Sequence, residues 1–280
     1  MLPLYAAGTN VAAANAFKEL NDDMIAASVH AYSPYNFAMN ASNTGTTAWG
    51  SDADKRELAH MFNNLDEIFL SNGIPVVLGE FASTHKDNVE ERAKHAKYYA
   101  QLAKKYSIPC IWWDNGISEA YKSDAMALLD RRNIEWIYPE IVEALMEGYY
   151  SGEDVELPDF SIIFEGVATS KNWGQALAFL TGVDIILDDF KAGDRIAVVY
   201  ESTKKPEFIL QSWSGGPKWV KVSPSEVIDG VAYFSYEKII KTYAAAMSNY
   251  ESYDEPLPLV DKVYIGDDGV PLTVTKVYFD

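Results

Sequence analysis

The sequence is poor in cysteine, in basic residues and in long apolar runs, and each shortage excludes a class of protein. Its single cysteine, Cys110, rules out an intrachain disulfide, and its position in an apolar segment is typical of a small buried side chain. No stretch reaches the roughly 18 uninterrupted apolar residues of a membrane span. With 23 Lys and Arg against 41 Asp and Glu, the net charge is −18. This charge argues against binding to nucleic acid or to an anionic membrane, because both are polyanions.

A secretory signal is also missing from the visible N-terminus. The first ten residues, MLPLYAAGTN, have no basic stretch and are too short for an apolar core. Aromatic residues, in contrast, are abundant: they make up 13% of the chain, with 18 Tyr and 7 Trp. Part of this excess belongs in a core, but aromatic rings are also what a sugar-binding surface needs.

The first half of the chain, residues 1–150, alternates predicted strands and helices. The predicted strands span 1–5, 24–30, 76–79 and 109–113, and the helices span 11–20, 54–69, 89–106 and 136–148. Four consecutive strand–helix units predict a parallel sheet, and therefore an α/β region.

The second half has a different periodicity. Residues 151–158 are acidic and contain Gly and Pro, which predicts a linker. From 159 to 280 the chain is predicted to be all-β, with strands at 160–167, 175–180, 183–187, 195–201, 208–213, 231–234 and 272–279 and one helix at 237–247. Short strands at regular spacing with Gly-containing turns favour a β-sandwich.

Polar and aromatic side chains follow the strand ends of the first half, where α/β enzymes place their chemistry. A carboxylate that attacks an anomeric carbon, a His and a Tyr that position it, and an indole that stacks on a sugar ring are the components of a glycoside-cleaving site. The side chains at the four strand ends are Tyr5, then His30 and Tyr32, then Glu80, then Trp113 with Asp114 and Asn115.

Three of these strand ends carry a resemblance to a known family. The segments VHAYSPYNF, GIPVVLGEFAS and IPCIWWDNG resemble the last three strand ends of family 5 glycoside hydrolases, in particular clostridial-type endo-β-1,4-glucanases and xyloglucanases. The helical segments ERAKHAKYYAQLAKKYSIPC and YPEIVEALMEGY are similar as well, so the resemblance covers nearly all of residues 1–150. It implies a (β/α) TIM barrel of which this chain supplies strands five to eight.

The resemblance also implies roles for individual residues. Glu80 corresponds to the nucleophile of a retaining mechanism, His30 and Tyr32 to the residues that orient it, and Trp113 to a sugar platform, with Asn115 and Trp49 as further substrate-binding residues of the cleft. No metal or cofactor is implied, because carboxylates alone carry out retaining hydrolysis.

Several plainer interpretations of the same residues stay open. Glu80 could be an ordinary surface carboxylate, and His30 a satisfied core histidine. Trp112 and Trp113 point to opposite faces by strand alternation, which makes Trp113 the choice for the cleft and Trp112 a packing residue. His95 falls within a predicted helix and is expected at the surface.

One part of the family pattern is missing. The acid/base glutamate of family 5 lies in an Asn-Glu-Pro triplet at the end of strand four, and this triplet does not occur in the sequence. The region has about 150 residues, whereas such barrels need about 250. We therefore expect the chain to be the C-terminal part of a longer enzyme that lacks its N-terminal half barrel, with Met1 an internal residue. Alone, it is expected to be nearly inactive, and its open sheet edges invite dimerisation.

The second half carries the residue types of a polysaccharide-binding surface. Flat aromatic rings stack on sugars and amides read hydroxyls, and SKNWGQALAF and FILQSWSGGPKWVKV supply Trp173, Gln175, Gln211, Trp213 and Trp219. The pattern resembles carbohydrate-binding modules of family 65, which bind β-glucans and xyloglucan. The alternative is that two of the three tryptophans belong to the core.

The leading hypothesis is thus a truncated retaining endo-β-1,4-glucanase with a C-terminal β-glucan-binding module. The expected ligand is a β-glucan such as cellulose, mixed-linkage glucan or xyloglucan, which places the protein outside the cell. One alternative is a non-catalytic polysaccharide-binding protein in which the first half is a scaffold. A mannanase or xylanase is a third possibility, because the subsite residues that distinguish these enzymes lie mostly in the missing half.

Overall fold

The computed structural model of the chain describes residues 1–9, 14, 17, 24–152, 154–181, 184, 185, 187, 190–213, 216–247 and 259–280. Most of the predicted helix 11–20 and part of the predicted strand 183–187 lie outside these residues. The chain divides into two compact units, Met1–Pro158 and Asp159–Asp280. Across the described residues, no helix has both the length and the apolar character that a membrane crossing requires.

The first unit is built on a parallel sheet with helices, as the strand–helix alternation predicts. Its four strands lie in chain order, β1 (Leu2–Pro3), β2 (Ala27–His30), β3 (Val76–Phe81) and β4 (Cys110–Trp112). The helices are α1 (Tyr35–Ala38), α2 (Asp52–Ile68), α3 (Val89–Lys105) and α4 (Pro139–Tyr150). A two-stranded antiparallel pair, β5 (Leu129–Asp130) and β6 (Glu135–Trp136), precedes α4.

Local sequence explains why these elements form. Helix α2 begins with a capping box, in which the Ser51 side chain accepts from the Asp54 N–H and the Asp54 side chain accepts from the Ser51 N–H. Its Leu58, Phe62 and Leu65 recur at helical spacing and are buried. The helix therefore packs by one apolar face.

The parallel sheet is covered unequally on its two faces. Val76 and Leu78 are buried, whereas Val77 between them is only half-buried, because alternate strand residues point to opposite faces. On the edge strand β4, Ile111 lies on the same face as Val77 and is 55% exposed. The less covered face is the one on which apolar strand residues meet solvent.

His95 is not a surface residue, and that expectation was wrong. It lies on the inward face of α3, fully buried, with its ring 5.2 Å from Phe37, 5.4 Å from Trp49 and 5.6 Å from Tyr99. Its Nε2 lies 2.9 Å from the Ser33 carbonyl oxygen. Burial lowers the pKa of His95 to about 4, so the ring is neutral and donates to that carbonyl.

The second unit consists of two antiparallel sheets around one apolar core. The first sheet has the order β11-β10-β14-β8 and the second the order β12-β13-β9-β15-β7. The strands are β7 (Ile162–Ser170), β8 (Gln175–Leu180), β9 (Arg195–Glu201), β10 (Glu207–Gln211), β11 (Val220–Val222), β12 (Glu226–Ile228), β13 (Val231–Ser235), β14 (Lys262–Gly266) and β15 (Leu272–Phe279), and helix α5 spans Tyr236–Ala245.

The core of the second unit is formed by alternate residues of its strands. Phe208 and Leu210 of β10 and Val263 and Ile265 of β14 are buried within it. Strand β14 pairs with β10 on one side and β8 on the other, yet sequence analysis missed it. Its signal was the alternation in KVYIG, which is short and follows a long segment without strand character.

Candidate functional site

The end of β3 delivers Glu80 to the edge of the parallel sheet. Apolar residues of β3 fix the strand against the helices, and the pairing of β2 with β3 changes register between Val29 and His30, opposite Glu80. The main chain is held there by a hydrogen bond of 2.9 Å from the Ala31 N–H to the Glu80 carbonyl oxygen. This irregularity brings the ends of the two strands together.

The three predicted catalytic residues meet at one carboxylate oxygen. The Tyr32 hydroxyl donates to Oε2 of Glu80 at 2.7 Å, and Nδ1 of His30 lies 3.3 Å from the same oxygen. The side chains of His30 and Glu80 are 36% and 24% exposed. The structure therefore brings together the trio that the sequence singled out, while leaving the carboxylate accessible.

The electrostatics of the trio keep the phenol of Tyr32 neutral. Burial, followed by the hydrogen bond and the negative charge of Glu80, raises the pKa of Tyr32. The phenol consequently keeps its proton and donates a hydrogen bond to the carboxylate. Both contacts engage Oε2, so Oε1 is the oxygen that neither neighbour uses.

A glycine beside Glu80 makes room for the histidine, and sequence analysis did not identify it. A Cβ atom at Gly79 would lie 3.3 Å from Nε2 of His30 and 3.3 Å from Oγ of Ser28. These contacts are tighter than ordinary van der Waals distances. A side chain at position 79 would therefore require the imidazole of His30 to shift.

The two tryptophans at the end of β4 have different environments. Trp113 is 43% exposed, and its main-chain N–H donates to the Phe81 carbonyl oxygen at 2.9 Å. Trp112 packs edge-to-face on Phe81 with ring centroids 5.4 Å apart, and its indole N–H donates to the Met126 carbonyl oxygen at 2.9 Å. The accessible ring is thus the one assigned to the cleft, and its role as a sugar platform stays a prediction.

Asn115 is engaged by its own loop. Its amide nitrogen donates to the Asp124 carbonyl oxygen at 2.6 Å, and its amide oxygen accepts from the Ile117 N–H at 3.0 Å. In this arrangement the side chain shapes the loop after β4. Direct contact of Asn115 with substrate stays a prediction.

Trp49 does not line a cleft, which corrects the expectation from the sequence. Its side chain is only 8% exposed and packs on Tyr98 and His95 of α3, with ring centroids 5.5 and 5.4 Å away. Its main-chain N–H donates to Glu91 at 3.1 Å. A flexible-looking segment, GTTAWG, thus anchors itself by burying its one large apolar ring.

Two buried cations that sequence analysis missed hold the loop after Glu80. Arg92 is fully buried, donates from Nε to the Ser83 carbonyl oxygen at 3.0 Å, and lies 4.9 Å from the centre of the Tyr138 ring. Lys86 donates to the Phe37 carbonyl oxygen at 2.7 Å. Burial lowers the pKa of Arg92 to about 10 and that of Lys86 to about 8. Helical spacing was the available signal for Arg92, which lies on the buried face of α3 with Ala96 and Tyr99. Lys86 lies outside any helix or strand and had no such signal.

The second unit presents all three predicted tryptophans to solvent. Trp173, Trp213 and Trp219 are 69%, 60% and 42% exposed. The alternative that two of them form the core is therefore wrong, because the buried side chains of the core cluster include no tryptophan among the described residues.

These rings gather around the outer side of the sheet β11-β10-β14-β8. Tyr264 of β14 lies with its ring 5.3 Å from Trp219, and its hydroxyl donates to the amide oxygen of Gln211 at 2.6 Å. Lys262, which pairs with Gln211 across the sheet, lies 5.5 Å from the centre of the Trp213 ring. We name the set Trp173, Gln211, Trp213, Trp219 and Tyr264 the aromatic face.

Two further residues complete the description of this side of the sheet. Lys221 of β11 lies 5.7 Å from the centre of the Trp173 ring. Gln175, predicted to bind substrate, is exposed in β8 and pairs with Gly266 of β14. Gln211 and Tyr264 thus supply hydrogen-bonding groups beside stacking rings, as a saccharide site requires.

A metal site has no support in the described ranges. No group of three or more His, Cys, Asp or Glu side chains there has the arrangement to hold an ion.

Comparisons with known proteins agree with both resemblances. Residues 3–119 match the family described as cellulase (glycosyl hydrolase family 5), and residues 164–277 match carbohydrate binding module 65 domain 1. Endoglucanase A of Clostridium longisporum is 44% identical over 149 residues, which cover 53% of this chain and 29% of that protein. The cellulase/esterase CelE of Acetivibrio thermocellus is 42% identical over 143 residues, which cover 51% of this chain and 17% of that protein.

A solved structure gives the same result for the fold. The GH5-4 broad specificity endoglucanase from Clostridium longisporum shares 42% identity, with 54% of this chain and 43% of that chain covered and a TM-score of 0.52. The family resemblances inferred from the sequence are confirmed. The chain spans less than a third of the length of the two curated relatives, at 29% and 17%.

Proposed function

We propose that this chain, which joins a region of glycosyl hydrolase family 5 to a carbohydrate-binding module of family 65, is the C-terminal part of a retaining endo-β-1,4-glucanase. One observation carries the proposal: Tyr32 and His30 both contact one oxygen of Glu80 at the end of a parallel strand. This is how a carboxylate nucleophile is oriented with its other oxygen available. The relatives, which are named endoglucanases, support the same reaction class.

In the proposed reaction Oε1 of Glu80 attacks the anomeric carbon of a glucose unit. The glycosidic C–O bond breaks, and the leaving sugar takes a proton from a general acid. The resulting glycosyl ester on Glu80 is then hydrolysed by water, which returns the carboxylate and retains the anomeric configuration. Tyr32 holds the carboxylate during attack, and Trp113 stacks on a sugar ring.

The general acid is the component that this chain does not offer in the family's form. Retention requires a second carboxyl group about 5 to 5.5 Å from the nucleophile, and the sequence contains no Asn-Glu-Pro triplet. General acid catalysis contributes roughly 10² to 10⁴ in rate. We therefore propose that the chain alone is nearly inactive, and that an N-terminal half barrel with the acid/base residue is its partner in hydrolysis.

The second unit is proposed to hold the polysaccharide by its aromatic face. Exposed indoles and a Tyr–Gln hydrogen bond on one side of one sheet match the stacking and hydroxyl recognition that a glucan chain offers. Cellulose, mixed-linkage glucan and xyloglucan are the proposed ligands. Since these polymers lie outside cells, the protein is proposed to be extracellular.

The test is to assay binding and hydrolysis separately on the full chain. Gels containing β-glucan or xyloglucan are expected to retard it, while reducing-sugar release stays near background. Adding the N-terminal half barrel of Clostridium longisporum endoglucanase A is expected to raise hydrolysis, and Glu80→Gln is expected to abolish that gain. Substantial hydrolysis by the chain alone, lost in Glu80→Gln, would show that another carboxylate here supplies the proton and would overturn the truncation proposal.

A second candidate function is a non-catalytic polysaccharide-binding protein. The observation in its favour is that the aromatic face lies on a unit with its own core, whereas the parallel sheet of the first unit has four strands. Retardation in glucan gels together with no hydrolysis, even after addition of the half barrel, would support this reading.

A further inference from the structure

Two aspartates bracket strand β14, and the one at its C-terminal end is a buried hub. Asp267 is 4% exposed. Its carboxylate accepts from the Ser170 hydroxyl at 2.6 Å, from the Gly174 N–H at 2.8 Å, from the Gly269 N–H at 2.9 Å and from the Trp173 N–H. Four donors occupy both oxygens, so this carboxylate has no capacity left for a ligand. The role of Asp267 is therefore to accept hydrogen bonds from the protein itself.

The segment that Asp267 holds has a strained backbone. Asn172 and Trp173 have φ values of 45° and 61°, which place two consecutive non-glycine residues in the left-handed region. Such residues persist only where the surrounding structure enforces them, and they concentrate at functional sites. Here the strained pair ends in an indole that is 69% exposed.

The indole of Trp173 also packs closely against Gly269. A Cβ atom at Gly269 would lie 2.7 Å from Cζ2 and 2.8 Å from Cε2 of Trp173, and Gly269 itself has a φ of 77°. Any side chain at position 269 would displace the ring. Asp267 therefore fixes the backbone of Trp173, and the absence of a side chain at Gly269 leaves the space that its indole ring occupies.

The aspartate at the other end of β14 accepts a hydrogen bond from the main chain of a second tryptophan. The carboxylate of Asp261 accepts from the Trp213 N–H at 2.5 Å, and the Asp261 N–H donates to the Gln211 carbonyl oxygen at 2.9 Å. The next residue, Lys262, lies 5.5 Å from the centre of the Trp213 ring. The carboxylate at each end of β14 thus accepts a hydrogen bond from the main-chain N–H of one exposed tryptophan.

We propose that Asp261 and Asp267 are positioning residues of the aromatic face, which set the placement of Trp213 and Trp173 for stacking on a saccharide. The inference rests on the proposed function of this face. A carboxylate is required at position 267, because an amide would offer one acceptor oxygen and turn an NH₂ group toward main-chain N–H donors. The isosteric change Asp→Asn therefore tests the idea with minimal change in volume.

The first experiment compares Asp267→Asn with Asp268→Asn in the full chain, by affinity electrophoresis in β-glucan and xyloglucan. Asp268 is the matched control, since it is the next residue but forms a solvent-exposed ion pair with Lys204 at 3.2 Å. We expect Asp267→Asn to weaken binding about five- to tenfold, the loss of one well-placed stacking ring. Asp268→Asn is expected to change it less than about twofold.

A double-mutant cycle separates positioning from general destabilisation. If Asp267 acts through Trp173, then Asp267→Asn added to Trp173→Ala costs less than about twofold further, because the ring it positions is already gone. Equal losses in both backgrounds would show that Asp267 does not act through Trp173. The same cycle with Asp261→Asn and Trp213→Ala tests the other end of β14.

A structural readout keeps the inference testable even if no glucan binds. In 5-fluorotryptophan-labelled protein, Trp173→Phe identifies the ¹⁹F line of Trp173, and Asp267→Asn is expected to shift that line and leave those of Trp112 and Trp113 in place. An unchanged Trp173 line overturns the inference. A shifted line without glucan binding by the wild type supports the positioning and contradicts the proposed function. Should Asp267→Asn unfold the unit, Gly269→Ala replaces it and is expected to shift the same line, and an unmoved line there overturns the inference.

Discussion

The two units of this chain hold their functional side chains by different means. In the first unit the residues come from strand ends, where a parallel sheet brings Glu80, His30 and Tyr32 to one edge. In the second unit the tryptophans lie in loops at the ends of strands, and the carboxylates at the two ends of β14 fix the main chain of Trp173 and Trp213. Because a parallel sheet brings its strand ends to one edge, few additional contacts are needed to build a site there. An exposed ring on a loop has to be held by long-range hydrogen bonds.

The units also differ in the buried ionisable side chains that they contain. The two histidines whose pKa values are lowered by burial, His60 and His95, both lie in the first unit. The second unit has carboxylates whose charge is satisfied by main-chain donors. The first unit is therefore the acid-sensitive one, and the second the one that depends on buried ionised aspartate.

The largest expected effect separates hydrolysis from binding. In the chain supplemented with an N-terminal half barrel, Glu80→Gln is expected to reduce hydrolysis by a factor on the order of 10⁴, because the nucleophile is lost. Glucan binding by the second unit is expected to stay unchanged. Reducing-sugar assays and affinity gels on the same preparation check both parts, and loss of binding in Glu80→Gln would break the separation of roles.

Acid should destabilise the first unit before the second. His95 has a pKa of about 4 in the folded state and about 6.5 when unfolded, so the folded state binds fewer protons between these values. Its contribution is complete above pH 6.5 and falls by about 3 kcal/mol as the pH drops to 4. Hydrogen exchange of the full chain at pH 7, 5 and 4 is expected to show β3 losing protection before β9.

A His95→Gln variant sharpens that comparison. Glutamine can still donate to the Ser33 carbonyl oxygen but does not ionise, so the difference between the units from pH 6.5 to 4 is expected to shrink. Equal acid sensitivity of β3 and β9 in the wild type would contradict the assignment of this burial effect to His95.

Removing the Tyr32 hydroxyl tests the orientation of the nucleophile. Tyr32→Phe deletes the 2.7 Å hydrogen bond to Glu80, and a hydrogen bond to a charged group is worth about 1.5 to 3 kcal/mol. We expect a loss of about 10- to 100-fold in kcat of the supplemented enzyme, with little change in KM. A rise in KM at constant kcat would show instead that Tyr32 binds substrate.

The smallest expected effects distinguish residues within the second unit. Trp219→Ala is expected to weaken glucan binding about tenfold, because it removes a stacking ring beside Tyr264. Gln175→Ala removes an exposed amide of the same sheet that is predicted to bind substrate, and it is expected to weaken binding about two- to threefold, the loss of one exposed hydrogen bond. Isothermal titration with a soluble gluco-oligosaccharide measures both, and a larger loss for Gln175→Ala would move the site toward β8.

Much of the fold followed from local pattern. The strand–helix alternation predicted the parallel sheet, and the run before Glu80 predicted a strand that ends in a carboxylate. The prediction failed where burial depends on partners distant in sequence: Trp49 and His95 are buried by packing on each other across two elements. Strand β14 was missed because its stability comes from pairing on both sides and from side chains it shares with the aromatic face.

The sequence by itself determined the two-part organisation, the strand ends that carry Glu80, His30, Tyr32 and Trp113, and the presence of three tryptophans beside amides in the second half, whose exposure only the structure decided. Periodicity and residue chemistry are local properties, so they can be recognised from neighbouring letters. Only the tertiary structure decided that Trp49 packs against α3, that Asn115 bonds its own loop, and that Asp267 holds Trp173. The last contact joins residues 94 positions apart, and such a pairing arises when the sheets close and bring distant donors to a buried carboxylate.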